Sequence, residues 1–366
     1  MLGRTFWQRF VGVMVACAAI VGATPAAHAA AGVGSAGEAG AVTVGRPVFS
    51  LPIDCAPGRT CFIQNNVDMQ PGTGAADFRC GSTAYDGHTG VDFRLHSLAA
   101  AAAGVEVRAA APGVVKATRE GMADRVPPRA EHAAMSKLAC GNAVIVDHGG
   151  GWRTIYCHLR RGSVRVRSGD RVTRGQPLGL VGYSGIAEFA HLHFEVRHRD
   201  TVVDPSSGNP HGTPCRATPD VTSDAASGSA AASLWSEDVR TLVAYRNGEI
   251  IAAGFAGAEE PVKAMEKDHA VPPPTAASEV LLFYVRAINL KRGDRVTIKI
   301  RAPDGRDFRS FTQTLGANKA VSAIFTGKRR TKPRWMAGRY VGSVEITRGA
   351  AVIARREGVT LDIAER

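Results

Sequence analysis

After its first thirty residues the chain has no apolar run long enough to cross a bilayer, which excludes a protein built on membrane helices. It also lacks any arginine-rich helical pattern or basic stretch interleaved with aromatics, although 45 Lys and Arg outnumber 33 Asp and Glu for a net charge of +12. Nucleic acid, the usual partner of so basic a chain, is therefore not expected. The arginines crowded between Arg153 and Arg174 read first as a solvated surface, and second as an attractor for an anionic envelope polymer. Internal repeats of the short wall-anchoring kind are missing as well.

The opening residues supply Arg4 and Arg9, an apolar run over residues 10–22, and Ala27-His28-Ala29 ahead of Ala30. That layout predicts a secretory signal peptide over residues 1–29, and hence a periplasmic or secreted protein. Cleavage removes Arg4, Arg9 and Cys17, leaving a charge of +10 and six cysteines: Cys55, Cys61, Cys80, Cys140, Cys157 and Cys215. An even number in an exported chain implies disulfides. Spacing does not fix their connectivity, and sequential pairing (Cys55 with Cys61, Cys80 with Cys140, Cys157 with Cys215) is the expectation.

The chain divides into a flexible Gly/Ala-rich leader over residues 30–45, a first folded domain over 46–215, a Ser/Gly/Pro-rich linker over 216–235 and a second domain over 236–366. In the second domain, residues 239–245, 249–253, 280–287, 295–300, 339–346 and 360–363 alternate polar and apolar. Such a pattern suits a small immunoglobulin-like β-sandwich. The whole protein is thus expected to be all-β and mainly antiparallel.

Three short segments carry the chemistry: Asp86-Gly-His88-Thr-Gly-Val-Asp92, Tyr156-Cys-His158-Leu159 and His191-Leu-His193-Phe-Glu195-Val. Alternation in the last turns His191, His193 and Glu195 to one face of a strand and Leu192, Phe194 and Val196 to the other. Applied to residues 154–159, it puts His158 beside Tyr156 and Thr154 and sends Ile155, Cys157 and Leu159 inward. His88 and Asp92 lie four apart with Gly87 and Gly90 favouring a bend, so both reach one side. A catalytic zinc takes three protein ligands and keeps one position for water or substrate. Each segment alone is a weak signal, and His96, His132, His148, His198 and His211 read as ordinary histidines. Their joint occurrence points to a metal hydrolase. A structural zinc fits poorly, because closed sites use four ligands rich in Cys. Glu195 reads either as a partner that fixes a histidine tautomer or as a solvated strand residue.

These segments, with residues 141–149, 168–179 and Gly182-Tyr-Ser-Gly185 between them, resemble the zinc-dependent peptidoglycan endopeptidases of the LytM and lysostaphin type over residues 81–204. The resemblance implies the duplicated-hybrid-motif β-sheet fold, and one Zn2+ per chain held by His88, Asp92 and His193. It leaves His158 and His191 unligated, to orient or deprotonate the attacking water and to stabilise the oxyanion. The implied function is hydrolysis of a peptidoglycan peptide, with DD-endopeptidase-like specificity. The alternative is a silent relative that activates a cell-wall amidase; such relatives lack ligands, and none is missing here. Two departures stand out: Cys157 where alanine is usual, and a charged insertion over residues 118–138 that reads as a surface loop or short helix. No catalytic constellation is present in the second domain. Its Trp335, Tyr340 and Phe283 read as core or as a wall-binding surface, and it is also a candidate for docking an envelope protein partner.

Overall fold

Residues 45–214, 233–258, 262–267 and 271–365 are described by a computed structural model. The expected signal peptide, nearly all of the leader, Cys215 and most of the expected linker lie outside the described residues.

Period-two alternation organises the first sheet. Its strands are β1 (Cys61–Asn65), β2 (Val91–Leu95), β4 (Gly113–Arg119), β5 (Asn142–Gly149), β6 (Trp152–Leu159), β7 (Arg171–Val172), β9 (His191–His198) and β10 (Thr201–Val202). They run in the order β1-β2-β9-β6-β5-β4-β7, with β10 beside β9. The strands β3 (Glu106–Arg108) and β8 (Pro177–Leu180) form a separate antiparallel ribbon, and α1 (Leu98–Ala102) follows β2. On one face, Val91, Phe93 and Leu95 of β2 and Leu192, Phe194 and Val196 of β9 are almost wholly buried, clustered with Phe49, Val107 and Leu178. Burying such a side chain is worth about 1.5–3 kcal/mol, so a one-residue slip that turned all six outward is excluded. The opposite face is thereby committed to Asp92, His191, His193 and Glu195.

In β6 the order expected from alternation is reversed. Tyr156 is 0% exposed, accepts a 2.8 Å hydrogen bond from Ala110 N, and packs on Phe194, its partner across the sheet. Ile155 and Cys157 therefore oppose Glu195 and His193 on the other face. His158 joins that face because its backbone is left-handed, with φ 61°, which breaks the period of two.

Two cysteine pairs are placed. Cys55 bonds to Cys61 as expected, and Cys140 bonds to Cys157, which overturns the expected pairings of both. The reason is strand register: Asn142 pairs with Leu159, so the chain entering β5 passes the end of β6, and the two cysteine Cα atoms lie 4.9 Å apart. Cys80 is disulfide-bonded. The charged insertion holds α2 (His132–Met135) between two 3-10 turns. Its Asp124 accepts hydrogen bonds from Arg161 N and Tyr183 N, tying it to the loops that follow β6 and β8.

Residues 239–245, expected as a strand, instead begin inside the helix α3 (Glu237–Leu242). Glu237 and Asp238 in its first turn favour the positive end of the helix, and its Val239 enters the first core with Leu234 and Trp235. Beyond it come β11 (Glu249–Ala256), α4 (Val262–Lys267), β12 (Val280–Leu290), β13 (Arg295–Arg301), β14 (Asp307–Thr314), β15 (Lys319–Arg329), β16 (Gly338–Arg348) and β17 (Ala351–Ile363). They form two antiparallel sheets, β11-β12-β15 and β14-β13-β16-β17. One apolar cluster joins the sheets, with Phe255, Phe283 and Val285 from the first and Ile298, Tyr340 and Ile346 from the second. Phe283 and Tyr340 are thus core, and Trp335 packs against the same cluster. Phe62 of β1 packs on Ile251 and Ile288, which seats β11 and β12 against the first sheet.

Candidate metal centre

The centre is assembled by strand pairing. Asp92 of β2 is the direct partner of His193 in β9, so both side chains leave the same face of the sheet. His88 enters from the preceding turn, where Gly87, at φ 78°, donates its N–H to Asp68 Oδ2 at 3.0 Å. Gly90 is needed for closeness: a Cβ there would sit 2.7 Å from both His193 Nε2 and the Phe194 carbonyl oxygen.

Each donor is oriented by a second contact. His88 Nδ1 lies 2.7 Å from the Asn66 carbonyl, which can only accept, so Nδ1 carries the proton and Nε2 keeps its lone pair. That Nε2 is 3.2 Å from Asp92 Oδ2 and 3.2 Å from His193 Nδ1. His193 Nδ1 is 2.9 Å from Asp92 Oδ1. Asn65 Nδ2 donates to Asp92 Oδ2 at 2.7 Å. One ligand atom from each of His88, Asp92 and His193 lies within 4.8 Å of the others, the donor set a divalent metal of zinc type accepts. On the far side of its ring, His193 Nε2 faces Glu195 Oε2 at 3.7 Å, and Glu195 is held by Thr89 Oγ1 at 2.5 Å and by Arg197. Glu195 is therefore a buried partner of His193 and not a solvated strand residue.

His158 and His191 sit beside the donors, their ring centroids 4.4 Å apart. The first gives Nδ1–H to the Ser184 carbonyl at 2.8 Å, the second to the Phe189 carbonyl at 2.9 Å. Both therefore keep an Nε2 lone pair, and that of His191 lies 3.6 Å from Asp92 Oδ1. Three further histidines are engaged elsewhere: His148 with Pro112 and Thr154, His198 with Gly150, His132 with Pro127. Backbone carbonyls of Asn66, Ser184 and Phe189 carry no sequence signal, and neither does Asn65. These supports were not foreseen.

Without metal, charge is shared unevenly. Burial opposes ionisation of Asp92, but the neighbouring imidazoles and the hydrogen bond from His193 hold its carboxyl well below the usual range. Burial also opposes the charged form of His193, yet bonds to Asp92 and Glu195 hold it up at about 9. Glu195 is brought down to about 2 by His193 and Arg197 against the cost of its own burial. His158 and His191 are both lowered, first by burial and then by neighbouring imidazoles, His158 well below the ordinary value.

Residues 86–205, which contain all five of these residues and Glu195, match the model of Peptidase family M23. The chain carries an M23 peptidase domain. The M23 domain is similar to several curated proteins. Cell division protein DipM of Caulobacter vibrioides is 44% identical over 64 residues, 18% of this chain and 10% of that protein. DD-carboxypeptidase/endopeptidase Mpg of Neisseria meningitidis serogroup B is 34% identical over 120 residues, 33% of this chain and 22% of that one. Peptidoglycan DD-endopeptidase ShyA of Vibrio cholerae serotype O1 is 38% identical over 69 residues, 19% and 16% of the two chains. The matched stretches thus span less than a quarter of these relatives' lengths. No helix among the described residues is long and apolar enough to cross a membrane.

Proposed function

We propose that this protein is an exported zinc-dependent endopeptidase that hydrolyses peptide bonds in the cross-links or stem peptides of peptidoglycan. The observation that carries the proposal is the convergence of three donor atoms within 4.8 Å of one another, beside two histidines whose Nδ1 protons are already engaged. The names of the relatives, a DD-carboxypeptidase/endopeptidase and a peptidoglycan DD-endopeptidase, support the substrate class. The pattern over residues 1–29 supports export.

His88 Nε2, Asp92 and His193 Nδ1 would hold the ion. When bound, zinc polarises a scissile carbonyl and brings the pKa of a water to about 7. The rest falls to side chains. Glu195 faces His193 Nε2 and favours a proton there, so that Nδ1 is the atom His193 would offer to the ion. Burial keeps His158 and His191 neutral near pH 7, so the Nε2 of one of them accepts the proton of the attacking water. Once protonated, that ring faces the charge developing on the carbonyl oxygen and returns its proton to the leaving amine.

Purified sacculi incubated with the metal-loaded mature protein test this reading. Wild type is expected to release muropeptides whose masses report peptide-bond cleavage, and His191→Ala to release none. Identical release by both proteins, or none by either, sinks the enzyme and leaves a silent activator of a cell-wall amidase in its place.

A further inference from the structure

Directly across the sheet from His191 stands Arg94, on the same face as Asp92. It is 0% exposed, an unusual place for a permanent charge. Its guanidinium is held on several sides. Glu266 of α4 accepts from one terminal nitrogen at 2.6 and 2.7 Å, and Gln64 Oε1 accepts from the other at 2.6 Å. Below it lies the ring of Phe189, with the guanidinium carbon 4.4 Å from the ring centre. Glu266 is itself set by a second arginine, Arg286 of β12, at 2.6 Å. That arginine donates to the carbonyls of His96 and Met265, at 2.9 and 3.0 Å, so it joins the first sheet to α4.

The same Phe189 orients His191. Its carbonyl takes the His191 Nδ1 proton, and its ring lies 4.6 Å from the imidazole. A continuous set of contacts therefore runs from α4, outside the M23 match, through Arg94 and Phe189 to a histidine of the centre. Removing the anionic partner of a buried arginine leaves its charge uncompensated, which is strongly destabilising and favours a shift of the side chain toward solvent. Loss of Glu266 would free Arg94 from Phe189, and with it the ring that packs on His191.

We propose that Glu266, Arg94 and Phe189 are positioning residues for His191, so that the C-terminal module completes the active site of the M23 domain. The proposal rests on the catalytic reading of His191 given above. It makes α4 part of the hydrolytic apparatus and not only a neighbour of it.

The test uses the full mature chain with Glu266→Gln, Phe189→Leu and Phe189→Tyr, read in two ways. On a soluble cross-linked muropeptide, Glu266→Gln and Phe189→Leu are expected to lower kcat about tenfold, with KM and zinc content unchanged. Phe189→Tyr keeps the ring under Arg94 and is expected to restore kcat to within about twofold. Combining Glu266→Gln with Phe189→Leu is expected to cost little more than either alone, because both break one line of contacts. Phe189→Leu unpairs no buried charge, so it serves if Glu266→Gln does not fold.

The second reading needs no activity. In 15N-histidine-labelled, metal-free protein, the His191 signals are expected to report a single Nδ1–H tautomer in wild type and a tautomer mixture in Phe189→Leu and Glu266→Gln. Wild-type kcat in both variants together with an unchanged His191 tautomer overturns the proposal. If wild type cleaves no muropeptide, the endopeptidase reading fails, and the tautomer comparison alone decides whether these residues position His191.

Discussion

Asp92 and His193 are cross-strand partners, and the Nδ1 of one lies 2.9 Å from a carboxylate oxygen of the other. The register that buries Phe93 and Leu192 on one face of the sheet is thus the register that brings an anion and an imidazole together on the other. Two consequences follow for metal affinity. Asp92→Asn removes the one anionic donor without altering the packing beneath it. Glu195→Gln only weakens the hold on the far side of His193, a change that costs about 10–100-fold in affinity at comparable sites. Chelator competition is expected to show a loss in that range for Glu195→Gln and a larger one for Asp92→Asn. Equal affinities in the two variants would contradict the assignment of Asp92 as a donor.

Proton release on metal binding has a definite sign. His193 is held up at about 9 in the metal-free protein, so it is protonated at pH 7.5 and must give up its Nδ1 proton to a metal. His193 should release about one proton per zinc at that pH, beyond what a zinc-bound water of pKa about 7 gives up, and this contribution falls away as pH rises past about 9. The same raised value stabilises the metal-free fold fully below the unfolded histidine value of about 6.5, and that contribution is lost as pH rises through about 9. Calorimetric titration in buffers of different ionisation enthalpy counts the protons. A release that does not vary over pH 7.5 to 9.5 would show that the proton belongs elsewhere.

Gly90 sets the approach of the turn to β9. Its replacement by alanine forces a Cβ to 2.7 Å from His193 Nε2 and from the Phe194 carbonyl, and a backbone oxygen cannot swing away. Gly90→Ala is expected to lower stability by about 1–3 kcal/mol, as overpacking does, and to weaken zinc binding with it. Denaturant melts and zinc titration read the two effects. Unchanged values in both would mean that the turn relaxes freely.

Asp204 offers a pH test away from the centre. It is fully buried; burial drives its carboxyl up to about 6, and Ser207 contacts at Oδ1 only partly offset this, while Oδ2 has no hydrogen-bond partner among the described residues. A carboxyl raised from an ordinary 3.8 binds its proton more tightly in the folded state, so stability falls as pH rises from about 4 through about 6. At about 1.4 kcal/mol per unit, the cost is of order 3 kcal/mol. Asp204→Asn is expected to melt higher than wild type at pH 8, with the gap closing below about pH 4. A gap independent of pH would remove ionisation as its cause.

Much of this site was readable from the order of residues, because β9 alternates without interruption from His191 to Val196 and each apolar member is buried. The parity of β6 was not. A left-handed backbone at a histidine has no residue signature, so period-two reading placed Tyr156 on the wrong face and Cys157 in the core. The Cys140–Cys157 bond follows from the register of β5 on β6, which spacing in sequence does not contain. In the second module, the expected strands 249–253, 280–287, 295–300, 339–346 and 360–363 fall inside β11, β12, β13, β16 and β17. Strand β14 escaped notice because only Phe308 and Phe311 of its eight residues are even partly buried, and the two residues between them break the alternation. Residues 239–245 showed apolar spacing compatible with either element, and the first core claimed Val239 and Val243 for a helical turn and its end.

The central claim is that His88, Asp92 and His193 hold one zinc and leave a position open. X-ray absorption at the zinc edge of the metal-loaded mature protein tests it most directly. The expected result is one zinc per chain with two histidine nitrogens, one carboxylate oxygen and a further light-atom ligand from solvent, at about 2.0–2.2 Å. A sulfur ligand near about 2.3 Å, a fourth protein side chain closing the site, or the same spectrum from His193→Ala would contradict it.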